Sequence, residues 1–411
     1  MRRIAFLLPT LNRIGGAERQ VVLLATGLAA RGWRVTLVAL SGTCGEACGE
    51  LYAAGVEFLS LHMQRGLADP QGWLRLNAWL REAHPEIVHA HLPHAAWLAR
   101  WSRLAAPLRV VVDTIHTAGT GTRGRRLGYR LSNWLTDQTT VVSEGAAQAW
   151  KAARMISQKQ LEIMPNGIDT KIWKPATDAR AELRAELGLR DEFVWLAAGR
   201  LEPVKNFSAL LQAIATLPQH ARLVIAGSGS QAEALSAQAR DFGIESSVRF
   251  PGHQSNLLRW MQAADAFALS SHWEGLPMSL LEAGACGLPC VSTAVAGATE
   301  IVLEGQTGFL VPAGNQRELN AAMHRLMTMS ASERQAMGEA ARQRIRARYS
   351  IHSVLDQWEN LYAELLEAHP RATRWSRHTS PRHAPRSSPR IFTAAIGAPT
   401  SSSSGATADA P

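Results

Sequence analysis

Short runs of Val, Ile, Leu and Ala alternate along most of the chain with stretches whose apolar residues recur every three or four positions. The runs Ile4–Leu8, Val35–Ala39, Val56–Leu59, Ile87–His91, Arg109–Thr114 and Gln138–Val142 read as strands. Ala17–Ala30, Leu74–Ala83 and His94–Leu104 read as helices between them. The rhythm then repeats. Its strands are Phe193–Ala198, Ala221–Ala226, Val248–Phe250, Ala266–Leu269, Cys290–Ser292 and Gly308–Val311. Its helices are Asn206–Thr216, Ser230–Phe242, Asn256–Ala263, Pro277–Cys286 and Gln316–Met329. Strands this uniformly apolar, separated by helices, predict parallel sheets covered on both faces. The expected architecture is α/β, with two doubly wound, Rossmann-like domains at 1–168 and 177–350, joined near Asn166–Pro175. A helix at 351–368 follows, with Val354, Leu355, Trp358, Leu361, Tyr362 and Leu365 at helical spacing. Residues 369–411 lose all periodicity, and their Ser, Pro, Arg, Ala and Thr content predicts a disordered tail.

Composition narrows the class. The chain has 411 residues, 46% of them hydrophobic, which is enough for two real cores and too much for a disordered chain. No apolar run approaches the roughly 18 residues of a membrane span. Met1-Arg2-Arg3 and the following IAFLL imitate a secretory signal, but the run stops at Pro9 without a small-residue cleavage site, so a buried first strand is expected. Cys44, Cys48, Cys286 and Cys290 form two C-x3-C pairs, too few for a disulfide scaffold. Free thiols in a reducing cytosol are the expectation, with no zinc site.

The net charge of +9 is uneven. Residues 1–168 carry +8, residues 169–368 carry −4 and residues 369–411 carry +5. A nucleic-acid-binding protein would fit the total, but no recognition motif accompanies it.

Four loops carry candidate chemistry. Glu274-Gly275-Leu276-Pro277-Met278-Ser279-Leu280-Leu281-Glu282 places one carboxylate before a helix that Pro277 starts, and another about one turn inside it. At about 1.5 Å per helical residue, plus the extended loop, the carboxylates lie roughly 10 Å apart. That spacing suits a long ligand with a diol at each end and a negative centre, which the helix N-terminus favours. Gly199-Arg200-Leu201-Glu202-Pro203-Val204-Lys205 follows a strand end and puts two cations where a diphosphate leaving group would develop charge. Gly15-Gly16-Ala17-Glu18 lets backbone approach a ligand closely, and Glu18 either faces an acceptor or merely starts a helix. Asp113-Thr114-Ile115-His116-Thr117 ends another strand with a histidine able to donate to a sugar hydroxyl. His89, His91 and His94 lie close together, but no carboxylate pattern joins them, so strand-end packing is preferred to a metal site.

These loops, in this order, resemble the retaining glycosyltransferases of family 4, which have the GT-B fold. Asn166-Gly167-Ile168-Asp169, Ala226-Gly227-Ser228-Gly229 and Gly308-Phe309-Leu310-Val311-Pro312 support the resemblance, which covers roughly residues 1–368. It implies two domains facing each other across a cleft, with the last helix crossing back to the first domain. It also implies sugar transfer from a nucleotide-diphosphate sugar, without a metal or other cofactor. Arg200 and Lys205 would hold the diphosphate and Glu282 the ribose. Glu274 would contact the donor sugar, Gly16 would offer its amide to the phosphates, and His116 would be the active-site histidine. Gly15, Gly275, Leu276 and Pro277 complete the expected donor site. The layout is similar to bacterial enzymes that build cell-surface polysaccharide on a lipid carrier.

Thr122–Leu135 reads as a basic amphipathic helix. Leu127, Leu131, Trp134 and Leu135 fall at i, i+4, i+7 and i+8, with Arg123, Arg125, Arg126 and Arg130 beside them. Such a helix suits an anionic membrane surface, and the same pattern suits a core-packed helix with solvated arginines. On the first reading the protein is cytoplasmic and peripheral on the inner face of the membrane, reaching a lipid-linked or other glycan acceptor. Other classes fit less well. A dehydrogenase would want G-x-G-x-x-G in the first strand–helix turn, which is missing. An epimerase or an inactive scaffold would share the fold, but the two charged loops favour transfer.

Overall fold

Strand runs with no polar face can bury themselves only between helical layers, and that is how the chain folds. The computed structural model describes residues 1–12, 14–64, 69–156, 160–176 and 180–370. Among the described residues the first half forms a seven-stranded sheet. Its strands are β1 (Arg3–Leu8), β2 (Arg34–Ala39), β3 (Glu57–Ser60), β4 (Ile87–His91), β5 (Val110–Ile115), β6 (Gln138–Val141) and β7 (Leu161–Ile163). The second half forms a six-stranded sheet of β8 (Phe193–Ala198), β9 (Ala221–Ala226), β10 (Val248–Gly252), β11 (Ala266–Leu269), β12 (Cys290–Thr293) and β13 (Gly308–Val311). All the pairings are parallel. The orders are β3-β2-β1-β4-β5-β6-β7 and β10-β9-β8-β11-β12-β13. Each order reverses once, at β1/β4 and at β8/β11. There the loops leave the strand ends in opposite directions and open a crevice, the usual ligand position in such sheets.

The helices start where their caps dictate. Asp69 caps the Pro70–Ala83 helix by accepting from the Gly72 amide at 2.7 Å, and Pro70 sits at its first position, so it begins four residues before the apolar periodicity. Several elements escaped the pattern, among them the helices Cys48–Ala53, Glu144–Ala152, Arg180–Glu186, Ala298–Ile301 and Ala331–Arg348 and the strand β7. Ala331–Arg348 buries only Met337, Gly338, Ala341 and Ile345, so small residues rather than an apolar stripe mark its inner face. Arg180–Glu186 and β7 are too short to show a period.

Ile351–Ala368 returns to the first half and packs on the Gly16–Ala30 helix and on β1. Trp358 and Tyr362 are buried there beside Phe6, Val21 and Trp33. At its outer edge Arg31 pairs with Asp356 at 2.7 Å and Glu359 at 2.6 Å, and the Trp33 indole donates to Glu359 at 2.8 Å.

One expectation is corrected. Cys44 and Cys48 form a disulfide rather than free thiols. The short turn Gly45–Ala47 winds the chain so that residues four apart come within 5.1 Å at Cα, inside disulfide range. Cys286 and Cys290 are free and buried, and burial pushes both thiols up to about 12. Among the described residues no helix is long and apolar enough to cross a membrane, and no three metal-ligating side chains cluster. The expected tail lies outside the described residues beyond Pro370.

The packing of the last helix sets one expectation. Trp358→Ala removes a side chain only 1% exposed and should cost about 3–5 kcal/mol. The urea midpoint checks this, and a loss below about 1 kcal/mol would mean the helix hardly stabilises the first half.

Candidate active site

The charged loops of the second half leave adjacent strands, β8 and β11. Gly199 and Gly227 end β8 and β9 with φ of 155° and 154°, and a Cβ on Gly227 would land on the Gly199 carbonyl. Only glycine allows that approach. Arg200 then stands exposed. A single 3-10 turn, Pro203–Lys205, ends at Asn206 in the left-handed region and brings Lys205 back toward the strand end. Ser270 donates to the Lys205 and Asn206 carbonyls at 2.9 Å, and the His272 amide to the Val204 carbonyl at 2.8 Å, which ties the two loops together. As a result Lys205 Nζ lies 2.5 Å from Glu274 Oε1, which also accepts from the Ser271 hydroxyl at 2.6 Å.

Gly275, Leu276 and Pro277 are buried, and the Met278–Ala285 helix follows. Pro277 is its N-cap rather than its first residue. Glu282 lies four residues inside, half-buried on the helix. Burial pushes its carboxyl up to about 7, against a smaller opposing effect of the Arg19 charge from the other half.

Loops of the first half close on this edge. A Cβ on Gly275 would run into the His116 carbonyl, so the Glu274–Pro277 loop lies directly on the loop after β5. Ser143 caps the Glu144–Ala152 helix and donates to the Gly275 carbonyl at 2.8 Å. Asn166 donates to the Leu276 carbonyl at 3.4 Å. A Cβ on Gly16 would sit 3.1 Å from Met278 Cγ, which places the glycine pair opposite the helix start. Gly15 precedes the first helix, and its amide donates to Glu18 at 3.1 Å, so Glu18 acts as a helix cap here. The structure thus gathers Gly15, Gly16, His116, Lys205, Glu274, Gly275, Leu276, Pro277 and Glu282 around one interdomain edge, with Arg200 at the same strand ends.

His116 Nε2 lies 2.9 Å from His91 Nδ1, and the His91 and His89 rings are 4.1 Å apart, as alternation along β4 predicts. Burial lowers His116 to about 4 and holds His89 and His91 well below the ordinary histidine range. All three are neutral at pH 7. Sequence reasoning missed Ser143, Ser271, Gln20, whose Oε1 accepts from the Gly167 amide at 2.9 Å, and the pairing of His91 with His116. A cap position was the only available signal for Ser143, and nothing local marked the others.

The basic helix lies apart from these contacts. Arg123–Ser132 is helical, and a 3-10 turn at Asn133–Leu135 follows. Leu127, Leu131 and Trp134 are 56%, 61% and 66% exposed, whereas Leu135 is buried. Tyr129 and Ser132 face inward instead. Arg123 and Arg130 are exposed, and Arg125 and Arg126 are half-buried. Arg130 donates to the Ala153 and Arg154 carbonyls.

Comparison with known proteins extends this geometry. The sequence model described as "Glycosyltransferase Family 4" matches residues 14–172, and the one described as "Glycosyl transferases group 1" matches residues 179–344. D-inositol 3-phosphate glycosyltransferase of Mycobacterium leprae is 32% identical over 324 residues, covering 73% of this chain and 72% of that protein. The enzyme of the same name from Mycobacterium marinum is 30% identical over 325 residues, 73% of this chain and 66% of that protein. Among solved structures, HepE of Anabaena in complex with UDP-glucose superposes with a TM-score of 0.78 at 22% identity, over 89% of this chain and 99% of that one. The lipopolysaccharide outer core galactosyltransferase WaaB superposes at 0.67 with 19% identity, over 88% and 99%. These structural likenesses agree on the two-domain GT-B layout.

The buried carboxyl has a measurable consequence. Glu282 binds its proton more tightly folded than unfolded, so its burial costs stability as pH rises from about 4.5 through about 7. Glu282→Gln should therefore match the parent near pH 5 and exceed it by about 2 kcal/mol at pH 8. Urea midpoints at the two pH values check this, and a pH-independent difference would remove burial as the cause.

Proposed function

The chain belongs to the family 4, group 1 glycosyltransferases, and from that premise we propose that it moves a hexose-type sugar from a nucleotide-diphosphate sugar to an acceptor with retention of anomeric configuration. The contact of the Glu274–Gly275 loop with His116, with Lys205 on Glu274, carries this reading. There cations, a carboxylate and a neutral histidine share an edge.

On this reading residues 177–350 bind the donor and residues 1–168 the acceptor. Arg200 and Lys205 bind the diphosphate and stabilise the charge that grows as the glycosidic bond breaks. The Gly15-Gly16 backbone and the N-terminus of the Met278–Ala285 helix add amide donors. Glu282 accepts from the ribose diol. Glu274 accepts from donor-sugar hydroxyls, giving up part of its contact with Lys205 to the diphosphate. His116 donates to the donor sugar. The leaving phosphate takes the acceptor hydroxyl's proton on the same face of the sugar. Side-chain cations supply the positive charge, and the reaction needs no metal.

The acceptor is a lipid-linked or other glycan of cell-surface polysaccharide synthesis. The exposed Leu127, Leu131 and Trp134 beside four arginines support this, because they would seat the first domain on an anionic cytoplasmic membrane surface. A second reading takes a small phosphorylated polyol as acceptor, favoured by the name of the relative that is 32% identical.

A thermal-shift screen of nucleotide-diphosphate sugars should single out one donor by mass action. Glu274→Gln, Arg200→Ala and Lys205→Ala should each lower kcat by about 10²–10³-fold in a coupled assay of nucleotide diphosphate release, with activity retained in excess EDTA. Full activity of Glu274→Gln would remove this site. Replacing Arg123, Arg125, Arg126 and Arg130 with Gln should release the protein from anionic vesicles, at about 1 kcal/mol per arginine near the surface. Unchanged vesicle binding would overturn the membrane reading, and transfer to a soluble phosphorylated polyol would favour the second one.

A further inference from the structure

A neutral imidazole carries one proton, and which nitrogen holds it decides whether His116 donates or accepts toward the cleft. Two ring nitrogens in this cluster are buried without a partner, His91 Nε2 and His116 Nδ1. Between them lies the single contact of His91 Nδ1 with His116 Nε2 at 2.9 Å. One nitrogen of that contact donates, so one of the two unpartnered nitrogens must carry a proton. A buried N–H without an acceptor is rarer and costlier than a bare acceptor. His91 is fully buried, under Phe6 and against His89, so an N–H at its Nε2 could never be met. His116 Nδ1 is covered as well, but the residue as a whole is only half-buried and its backbone lies on the loop that touches Gly275, so a small shift of the ring would open this nitrogen to the cleft, which the enclosed His91 ring cannot do.

We propose that His91 is a positioning residue: its Nδ1–H donates to His116 Nε2 and so holds the His116 proton on Nδ1, as a donor for a sugar hydroxyl. The surroundings over-determine the His91 ring. The tilted His89 ring packs against it, and is itself clamped by the Tyr362 hydroxyl at 2.7 Å, the Thr114 hydroxyl at 2.6 Å and the Trp358 ring at 4.6 Å. The next residue, Leu92, holds φ 70° and ψ 152°. That region is nearly restricted to glycine and costs about 1–3 kcal/mol, a strain that persists only where neighbours enforce it. The C-terminal helix thus acts at a distance on the polarity of a cleft residue, through Tyr362 and Trp358, His89 and His91.

The assignment of His91 rests on the reading of His116 as a substrate contact, but the tautomer can be tested without it. Ring 15N NMR of the ligand-free protein labelled at histidine, with His116→Asn to assign the signal, should show a protonated Nδ1 and a bare Nε2 on His116. The reverse overturns the proposal. His91→Asn keeps a donor near the Nδ1 position and should keep kcat within about threefold. His91→Leu deletes it and His91→Asp presents only an acceptor, and each should lower kcat by about 10–100-fold, a typical cost for residues that orient a site from behind. Thermal melts show which variants stay folded. His91→Leu does not depend on burying a charge, so it tests the idea even if His91→Asp unfolds. Equal losses for folded Asn and Leu variants would reduce His91 to packing and overturn the proposal. Full activity of His116→Ala would instead remove the substrate role of His116, with the NMR result standing by itself.

Discussion

The cleft exists because the chain passes between its two halves at a single place. Ile168 donates to the Tyr349 carbonyl and accepts from the Ile351 amide, both at 2.8 Å, so the outgoing and returning segments run side by side. Gly167 lies against Ile351 and Val354, where a Cβ would sit about 3.0–3.1 Å from their atoms, and Gln20 receives its amide. Tyr349 and Arg344 bind the Glu300 and Ile301 carbonyls, which fixes the return to the second half. With both crossings pinned together, the strand ends of the two sheets must face one another at that edge. The loops after β1, β5, β8 and β11 have nowhere else to go. Asn166, inside the crossing, bonds the Leu276 carbonyl at the start of the Met278–Ala285 helix.

The two sides of that edge differ in electrostatic character. The second half contributes an exposed Arg200 and the Lys205–Glu274 pair, whose carboxylate also accepts from Ser271. The first half contributes histidines that burial keeps neutral. On the proposed function, neutral histidines leave a bound diphosphate's field mainly to the opposing cations. Glu282 stands between these regimes: burial pushes its carboxyl up to about 7, against the smaller effect of the Arg19 charge. Donors on a bound diol would stabilise the carboxylate, so on the proposed function donor binding near neutrality would release a proton from this carboxyl.

Much of this was legible beforehand because both sheets are buried on both faces. The uniform apolar runs of β8 and β11 read as central strands, and the charged loops follow them at fixed places. What escaped notice lacked a local signature. The Ala331–Arg348 helix buries only Met337, Gly338, Ala341 and Ile345, too few large apolar residues for a stripe to announce it. The Cys44–Cys48 bond depends on one turn of backbone that spacing alone leaves undecided. Ser143 and His91 acquire their roles from partners 132 and 25 residues away, which no window along the chain can contain.

The basic helix shows how a local pattern can be right in period and inverted in direction. An amphipathic helix ordinarily turns its leucines inward. Here the inward positions belong to Gly128, Tyr129 and Ser132, because the space beneath is taken by a buried ion pair. Arg100 binds Asp113 at 2.9 Å and donates to Ser132, Asn133, Thr139 and the Tyr129 carbonyl, with its guanidinium 4.6 Å from the Tyr129 ring. Trp97 lies so close to Gly128 that any side chain there would strike the indole. A leucine on that face would leave Arg100 and Asp113 without their polar neighbours, which a buried pair cannot tolerate cheaply. Anchoring the helix through polar groups is therefore what leaves Leu127, Leu131 and Trp134 outside, next to the arginines that make this half of the molecule basic. An apolar stripe left in water by the demands of a buried charge, flanked by arginines, is the surface on which the proposed seating on an anionic membrane rests.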